Sequence, residues 1–410
     1  AAIERHAAMH HATLSGDRTT RASAAVALLQ VIGVVGVDLA AAAAMEPLTA
    51  LVVASDGSPA LARRYAHIRA DLTWHRGDYR GALVALQRLL AETELALGPD
   101  HVEVMYLLFD LGSTHESLLE HEPAAAAFRR ALAIAERTLG PDHPRTALIW
   151  SGLGDVSQYS GEIANAAEHY RRALAIVEAR LGPHHADTAT QLHNLGDAMF
   201  ALGDLREARA RYERALAIRE VALGRSHPRV ATTLTNLALL LMQAGEPDAA
   251  VVHASRALAI YEQRNGPEHP SVAPALMLRA QLADGRGDHA AARADLERAL
   301  AINETHFGPD NELVDGARLL LCENAVARED VKGALAECQR AVDGAEQRAA
   351  DVIGLVRARW SLAEAVWAEG VRRPHALALA RAALALLDTA EGDHSAMRAE
   401  LAAWIARPGR

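Results

Sequence analysis

The sequence has little cysteine, few aromatic residues and no concentrated patch of positive charge, and each shortage excludes something. Two cysteines, Cys322 and Cys338, are too few for a disulfide framework or a Cys-based zinc site, so cysteine usage predicts a reducing, cytoplasmic setting. Aromatics make up 4% of the chain, which argues against one large core and suits alanine-rich helices packed closely. The net charge of −10 is spread along the chain, with short pairs such as Arg129-Arg130 and Arg171-Arg172 instead of a polybasic run. Nucleic-acid binding, which wants a concentrated basic surface, is therefore disfavoured. Absent too are Gly-x-Ser-x-Gly, the phosphate-binding Gly-x-x-x-x-Gly-Lys-Ser/Thr and His-Glu-x-x-His. No catalytic residue, cofactor, metal or small-molecule substrate is expected.

One stretch is short of charge. From Ala22 to Ala54 the acidic residues are Asp38 and Glu46 alone, and about 20 apolar residues suffice to span a bilayer. Against a membrane helix stand Asp38, Gly33, Gly36, the excess of alanine over leucine, and Pro47. The run is expected to pack as a buried helix pair, with no membrane partner.

What the chain does contain is a repeat. Gly-Pro-Asp-His at Gly98 to His101 returns at Gly140 and, as Gly-Pro-His-His, Gly-Arg-Ser-His, Gly-Pro-Glu-His and Gly-Pro-Asp-Asn, at Gly182, Gly224, Gly266 and Gly308, the glycine always 42 residues on and without insertion or deletion. Ala131-Leu132-Ala133-Ile134 recurs at Ala173, Ala215, Ala257 and Ala299, each time after an arginine (Arg130, Arg172, Arg214, Arg256, Arg298). A Gly-acid pair divides each unit at Gly77, Gly161, Gly203, Gly245 and Gly287. Such a period signals stacked helical repeats. Each unit reads as a helix A, a Gly-acid turn, a helix B and a Gly-Pro loop, with Pro144, Pro228 and Pro270 suited to the first turn of the next helix A. Residues 1–14 read as a further short helix, and 393–406 as a last helix covering the open end.

These residues resemble the tetratricopeptide repeat. From Leu195-Gly196, the small residue falls at Ala208, the aromatic at Tyr212 and the second small residue at Ala215, and Trp150 with Leu153-Gly154 fits the family's tryptophan position. The long unit and its Leu-Gly-Pro-x-His-Pro linker resemble the kinesin-light-chain subtype. The resemblance implies an all-α fold, a right-handed α-solenoid of stacked antiparallel helix pairs. It would comprise an N-terminal helical region (1–58), the repeat solenoid (59–348), and a degenerate repeat with a capping helix (349–410). The stretch from Arg357, through Trp360 and Trp367 to Trp404, is similar to the ending of bacterial eukaryotic-like serine/threonine protein kinases of the myxobacterial type. That likeness implies a regulatory or partner-binding half without its catalytic half.

In the tetratricopeptide family the A helices line a peptide-binding groove. Carried over by position, the groove residues are Tyr106, Phe109, Asp110, Ser113 and Glu116, then Ser151, Asp155, Gln158 and Tyr159. They continue with His193, Asn194, Asp197 and Phe200, and then Thr235, Asn236 and Met242. Asn194 and Asn236 coincide with the family asparagine that holds a ligand's backbone, since an amide both donates and accepts. Gly152 and Leu278 interrupt that series. The alternative for both asparagines is a structural brace between helices.

The twenty histidines invite a metal reading. His101, His143, His185, His227 and His269 hold one loop position in successive repeats, about 8–10 Å or more apart, too far to share an ion. Capping of the following helix is the expected role, and His10-His11 and His184-His185 are adjacent pairs that would point apart. The sequence thus points to a non-enzymatic scaffold that binds a protein or peptide segment, apolar and somewhat basic, in its groove. The alternatives are a stand-alone adaptor for a separately encoded enzyme and an enzyme with a cryptic site near the N-terminal helices.

Overall fold

The computed structural model describes residues 18–35, 38–348, 352–390 and 394–407. The helix expected over 1–14 and the His10-His11 pair lie outside them. Among the described residues there are nineteen α-helices and no strand, an all-α repeat solenoid. The chain divides into two compact units, one ending at Asp204 and the other beginning at Leu205.

The first unit opens with α1 (Arg18–Leu29), a π-helical stretch (Gln30–Val35) and α2 (Leu39–Asp56). Pairs follow as α3 (Pro59–His75) with α4 (Tyr79–Leu97), α5 (Val102–Ser117) with α6 (His121–Thr138), and α7 (Pro144–Tyr159) with α8 (Ile163–Leu181); α9 is Ala186–Ala201. The uncharged run does form a helix pair. Ala22, Val26 and Leu29 of α1 and Ala42 and Val53 of α2 pack in one core with Leu61, Tyr65, Ile68 and Leu72 of α3. Leu72 is wholly buried, a burial that stabilises by about 1.5–3 kcal/mol. Glu46, one of the two acids in the run, accepts from Arg69 at 2.9 Å and Arg76 at 3.1 Å. The outer side of α2 is bare: Leu48 and Leu51 are 66% and 70% exposed. By length and composition alone α2 could cross a membrane.

The loops bear out the capping role of the histidines. His101, His143, His185 and His227 each accept, through Nδ1, the backbone N–H two residues on, at 3.1–3.2 Å. These are orphan donors of a helix start. The loop glycines hold positive φ, as at Gly140 (96°) and Gly182 (96°), where a side chain would be strained. Some of the arginines before Ala-Leu-Ala-Ile reach back to the preceding loop: Arg130 donates to the Pro99 carbonyl at 3.3 Å and pairs with Glu94 at 2.5 Å, whereas Arg172 bonds Glu168 of its own helix at 3.1 Å.

The second unit contains α10 (Leu205–Leu223), α11 (Pro228–Gln243), α12 (Pro247–Asn265), α13 (Val272–Gly285), α14 (His289–Phe307), α15 (Glu312–Ala327), α16 (Val331–Arg348), α17 (Val352–Glu369), α18 (Arg373–Leu386) and α19 (Ser395–Ala406). The reach-back repeats here, Arg256 to the Arg225 carbonyl (3.2 Å) and Glu220 (2.5 Å), Arg298 to the Pro267 carbonyl (2.6 Å) and Glu262 (2.6 Å). Helix α19 closes the far end with Leu401 and Trp404, whose indole meets Trp367 edge-on at 6.1 Å.

Two expectations need correction. Pro144 and Pro228 do open their helices, but Pro270 does not, because α13 begins at Val272. Pro274 has no N–H to give the Pro270 carbonyl, so the helix starts late enough to keep Pro274 in its first turn. The cysteines are also not separate thiols. Cys322 of α15 and Cys338 of α16 face each other across one helix pair, with Cα atoms 4.7 Å apart, and are joined as a disulfide. Cysteine usage therefore does not argue for a reducing compartment.

Candidate functional site

The first helices of successive pairs in the first unit, α3, α5, α7 and α9, bring equivalent positions into line. One position reads Asp71, Ser113, Asp155, Asp197; the next reads Ile68, Asp110, Gly152, Asn194; a third reads Glu116, Gln158, Phe200 from α5 onward. All of the acids are half-buried, and they crowd one another. Burial, with the nearby Asp155 carboxylate adding to it, pushes Glu116 up to about 8. Burial also lifts Asp155 to about 6, against the hydrogen bond from Tyr170 and together with the charge of Asp197. Tyr170 donates to Asp155 at 2.6 Å. The Oε1 of Glu116 has no hydrogen-bond partner among the described residues.

His193 is buried, its Nε2 3.6 Å from Asp197 across one helical turn. Asp110 faces His67 of α3 at 2.5 Å. Asp71, one turn from His67, is pushed up to about 7, first by burial and then by Asp110.

The expected aromatics lie around these acids in different degrees. Phe109 is half-buried 5.7 Å from the Phe128 ring, Tyr106 carries the Arg145 guanidinium on its face at 4.8 Å, and Phe200 is half-buried. Tyr159 stands apart: it is 70% exposed and stacks on His121 at 6.0 Å. Ser151 and Ser157 are buried, and the Ser151 hydroxyl donates to Gln191 of α9 at 2.8 Å. Ser151 therefore braces neighbouring helices.

Asn194 is half-buried, and no hydrogen bond of its side chain occurs among the described residues. The brace reading is thereby weakened for this residue. The interruption at Gly152 has a steric cause, because a Cβ there would come 2.7 Å from the Phe128 ring. In the second unit Thr235, Asn236 and Met242 are half-buried on α11, and the Thr235 hydroxyl donates to the Ala231 carbonyl at 3.0 Å.

Sequence reasoning missed His67, Asp71 and Tyr170. The 42-residue register could have found Asp71, which lies two periods before Asp155. His67 lies three periods before His193, and its spacing to Asp71 repeats that of His193 to Asp197, so the same register could have found it too.

A comparison with curated protein sequences finds no match. Among solved structures, the apo form of RapI is similar at 12% identity over 90% of this chain and 99% of that one, with a TM-score of 0.67. The apo form of the quorum sensor NprR from B. thuringiensis is similar at 14% identity over 80% of this chain and 88% of that one, TM-score 0.61. BtubC (BKLC) from P. vanneervenii matches at 23% identity over 57% of this chain and 91% of that one, TM-score 0.47. At these identities the likeness is one of fold. The tetratricopeptide repeat model matches residues 62–137, 121–179, 145–221 and 222–305, more than half the chain, and the protein belongs to the tetratricopeptide repeat family.

Proposed function

We propose that the face of α5, α7 and α9 binds an extended, apolar and basic segment of another protein, and that the chain is a binding scaffold with no catalysis of its own. The observation that carries this reading is the run Glu116, Asp155 and Asp197. Asp155 adds to the proton affinity of Glu116 and Asp197 to that of Asp155, and neither Glu116 nor Asp155 pairs with an arginine or lysine among the described residues. A lysine or arginine from a ligand would supply the missing charge, and Phe109 and Phe200 beside it would receive apolar side chains. Asn194 fits a ligand's backbone amide. On α11, Thr235, Asn236 and Met242 offer the same mixture of groups within the second unit.

The resemblance of the ending from Arg357 supports a cytoplasmic, regulatory role beside a kinase-like catalytic domain; a stand-alone adaptor is the other form of the same reading. The upstream reading frame distinguishes them, since a kinase domain encoded there selects the first.

The binding test uses an array of synthetic peptides, basic-apolar, acidic-apolar and neutral. Basic-apolar peptides are expected to bind best, and the Glu116→Gln/Asp155→Asn variant should bind them about 10–100-fold more weakly, since a charged hydrogen bond contributes about 1.5–3 kcal/mol. Equal binding to acidic peptides, or no loss in the variant, counts against the reading.

A further inference from the structure

A cavity of about 680 Å³ opens beside α3 and α5 and has His67, Asp71 and Asp110 in its wall. His67 and Asp71 are four residues apart on α3 and so share a face, and Asp110 reaches the same point from α5. His67 Nε2 lies 2.5 Å from an Asp110 oxygen and 4.0 Å from an Asp71 oxygen, and the three donor atoms all fall within 4.8 Å of one another. We propose that these three side chains form a divalent metal site, for zinc or a similar transition ion, with a coordination position facing the cavity.

The donor geometry is the first support. Bonds of about 2.0–2.2 Å in a tetrahedral site hold ligand atoms about 3.3 Å apart. The observed spacings lie on both sides of that figure, so small side-chain rotations would bring the three donors onto an ion. The mixed set of one imidazole and two carboxylates suits zinc or cobalt better than calcium or magnesium, which take oxygen alone.

Charge is the second support. One imidazole faces two carboxylates, and the cavity's three arginines are engaged elsewhere. Arg63 bonds Glu103 at 3.3 Å, Arg64 bonds Gln30 at 3.5 Å, and Arg145 lies over Tyr106. A divalent ion would balance two acids that otherwise have only His67 to share. The third support is access: an open cavity beside the donors lets an ion enter and leaves room for a further ligand, as sites with three protein donors require. The loop histidines have none of these features, because each spends Nδ1 on a helix cap.

The test uses the full chain, stripped of metal and titrated with Co²⁺ and with Zn²⁺, with no peptide present, so its result is independent of the binding reading above. Visible absorption reads the Co²⁺ geometry and calorimetry the stoichiometry. One ion per chain is expected, bound at least tenfold more weakly after Asp71→Asn, an isosteric change, with unaltered binding after His184→Ala in an exposed loop. Asp110→Asn, which reaches the site from the other helix, should give the same loss if Asp71→Asn disturbs folding. Binding that survives both asparagine substitutions places the ion on other histidines and overturns the proposal, as does a chain that takes up no ion at micromolar concentration.

Discussion

Leu119 and Glu329 adopt the same left-handed backbone conformation, with φ of 59° and 58°. They stand where the other repeats have glycine: Leu119 lies 42 residues after Gly77, and Glu329 lies 42 after Gly287. A side chain there costs roughly 1–2 kcal/mol, while glycine's freedom in the unfolded chain costs about 0.4–1 kcal/mol. Leu119→Gly and Glu329→Gly should therefore each stabilise the protein by about 0.5–1 kcal/mol. Chemical denaturation would show it as a raised midpoint, and a lowered midpoint would mean that these side chains stabilise more than their backbone strain costs.

Glu116 gives a pH prediction with a definite sign. Its folded carboxyl holds a proton up to about 8, above the ordinary carboxylate range. Protonation thus favours the folded state at low pH, and that contribution is lost as pH rises from the unfolded value through about 8. Asp155, raised to about 6, acts in the same direction over a lower range. Glu116→Gln, neutral throughout, should flatten the fall in melting temperature between about pH 4.5 and 8 and stabilise above that range by on the order of 1 kcal/mol after allowance for its partial exposure. Melting curves that fall in parallel for parent and variant would contradict it. On the acid side His227 works the other way. Its pKa is lowered by burial and by Arg229, Arg264 and Arg219, so its contribution is complete above the unfolded value and is lost as pH falls.

The steric reading of Gly152 separates a packing position from a binding one. Gly152→Ala should cost about 1–3 kcal/mol, because the added carbon meets the Phe128 ring inside a filled core. Asn194→Ala, at the equivalent place one repeat on, removes no hydrogen bond within the described residues and should melt within about 0.5 kcal/mol of the parent. Thermal melts of the two variants check both, and a destabilised Asn194→Ala would restore the brace reading.

The repeat was legible because its markers are backbone necessities. Positive φ at Gly140 and an orphan N–H for the His143 ring must recur wherever the same loop recurs. The groove was legible by position only: the family register picks out Asp110 and Asn194 but is silent on what each touches. Contact between Asp110 and His67 depends on how α3 and α5 pack, and the counterpart His193 has Asn236, not an aspartate, at the place that corresponds to Asp110. The disulfide was missed for a similar reason, since two cysteines carry no pattern, and only the pairing of α15 with α16 makes neighbours of Cys322 and Cys338.

The arginines that reach back to the preceding loop have a consequence for how such a chain can change length. Arg130 must meet both the Pro99 carbonyl and Glu94, as Arg298 must meet the Pro267 carbonyl and Glu262. A single residue added to the loop would shift the carbonyl relative to the glutamate, and one guanidinium could no longer span both. A whole duplicated unit, in contrast, arrives with its arginine, carbonyl and glutamate already matched to a neighbour. The array can therefore grow or shrink by complete units while each loop held in this way stays fixed to the residue.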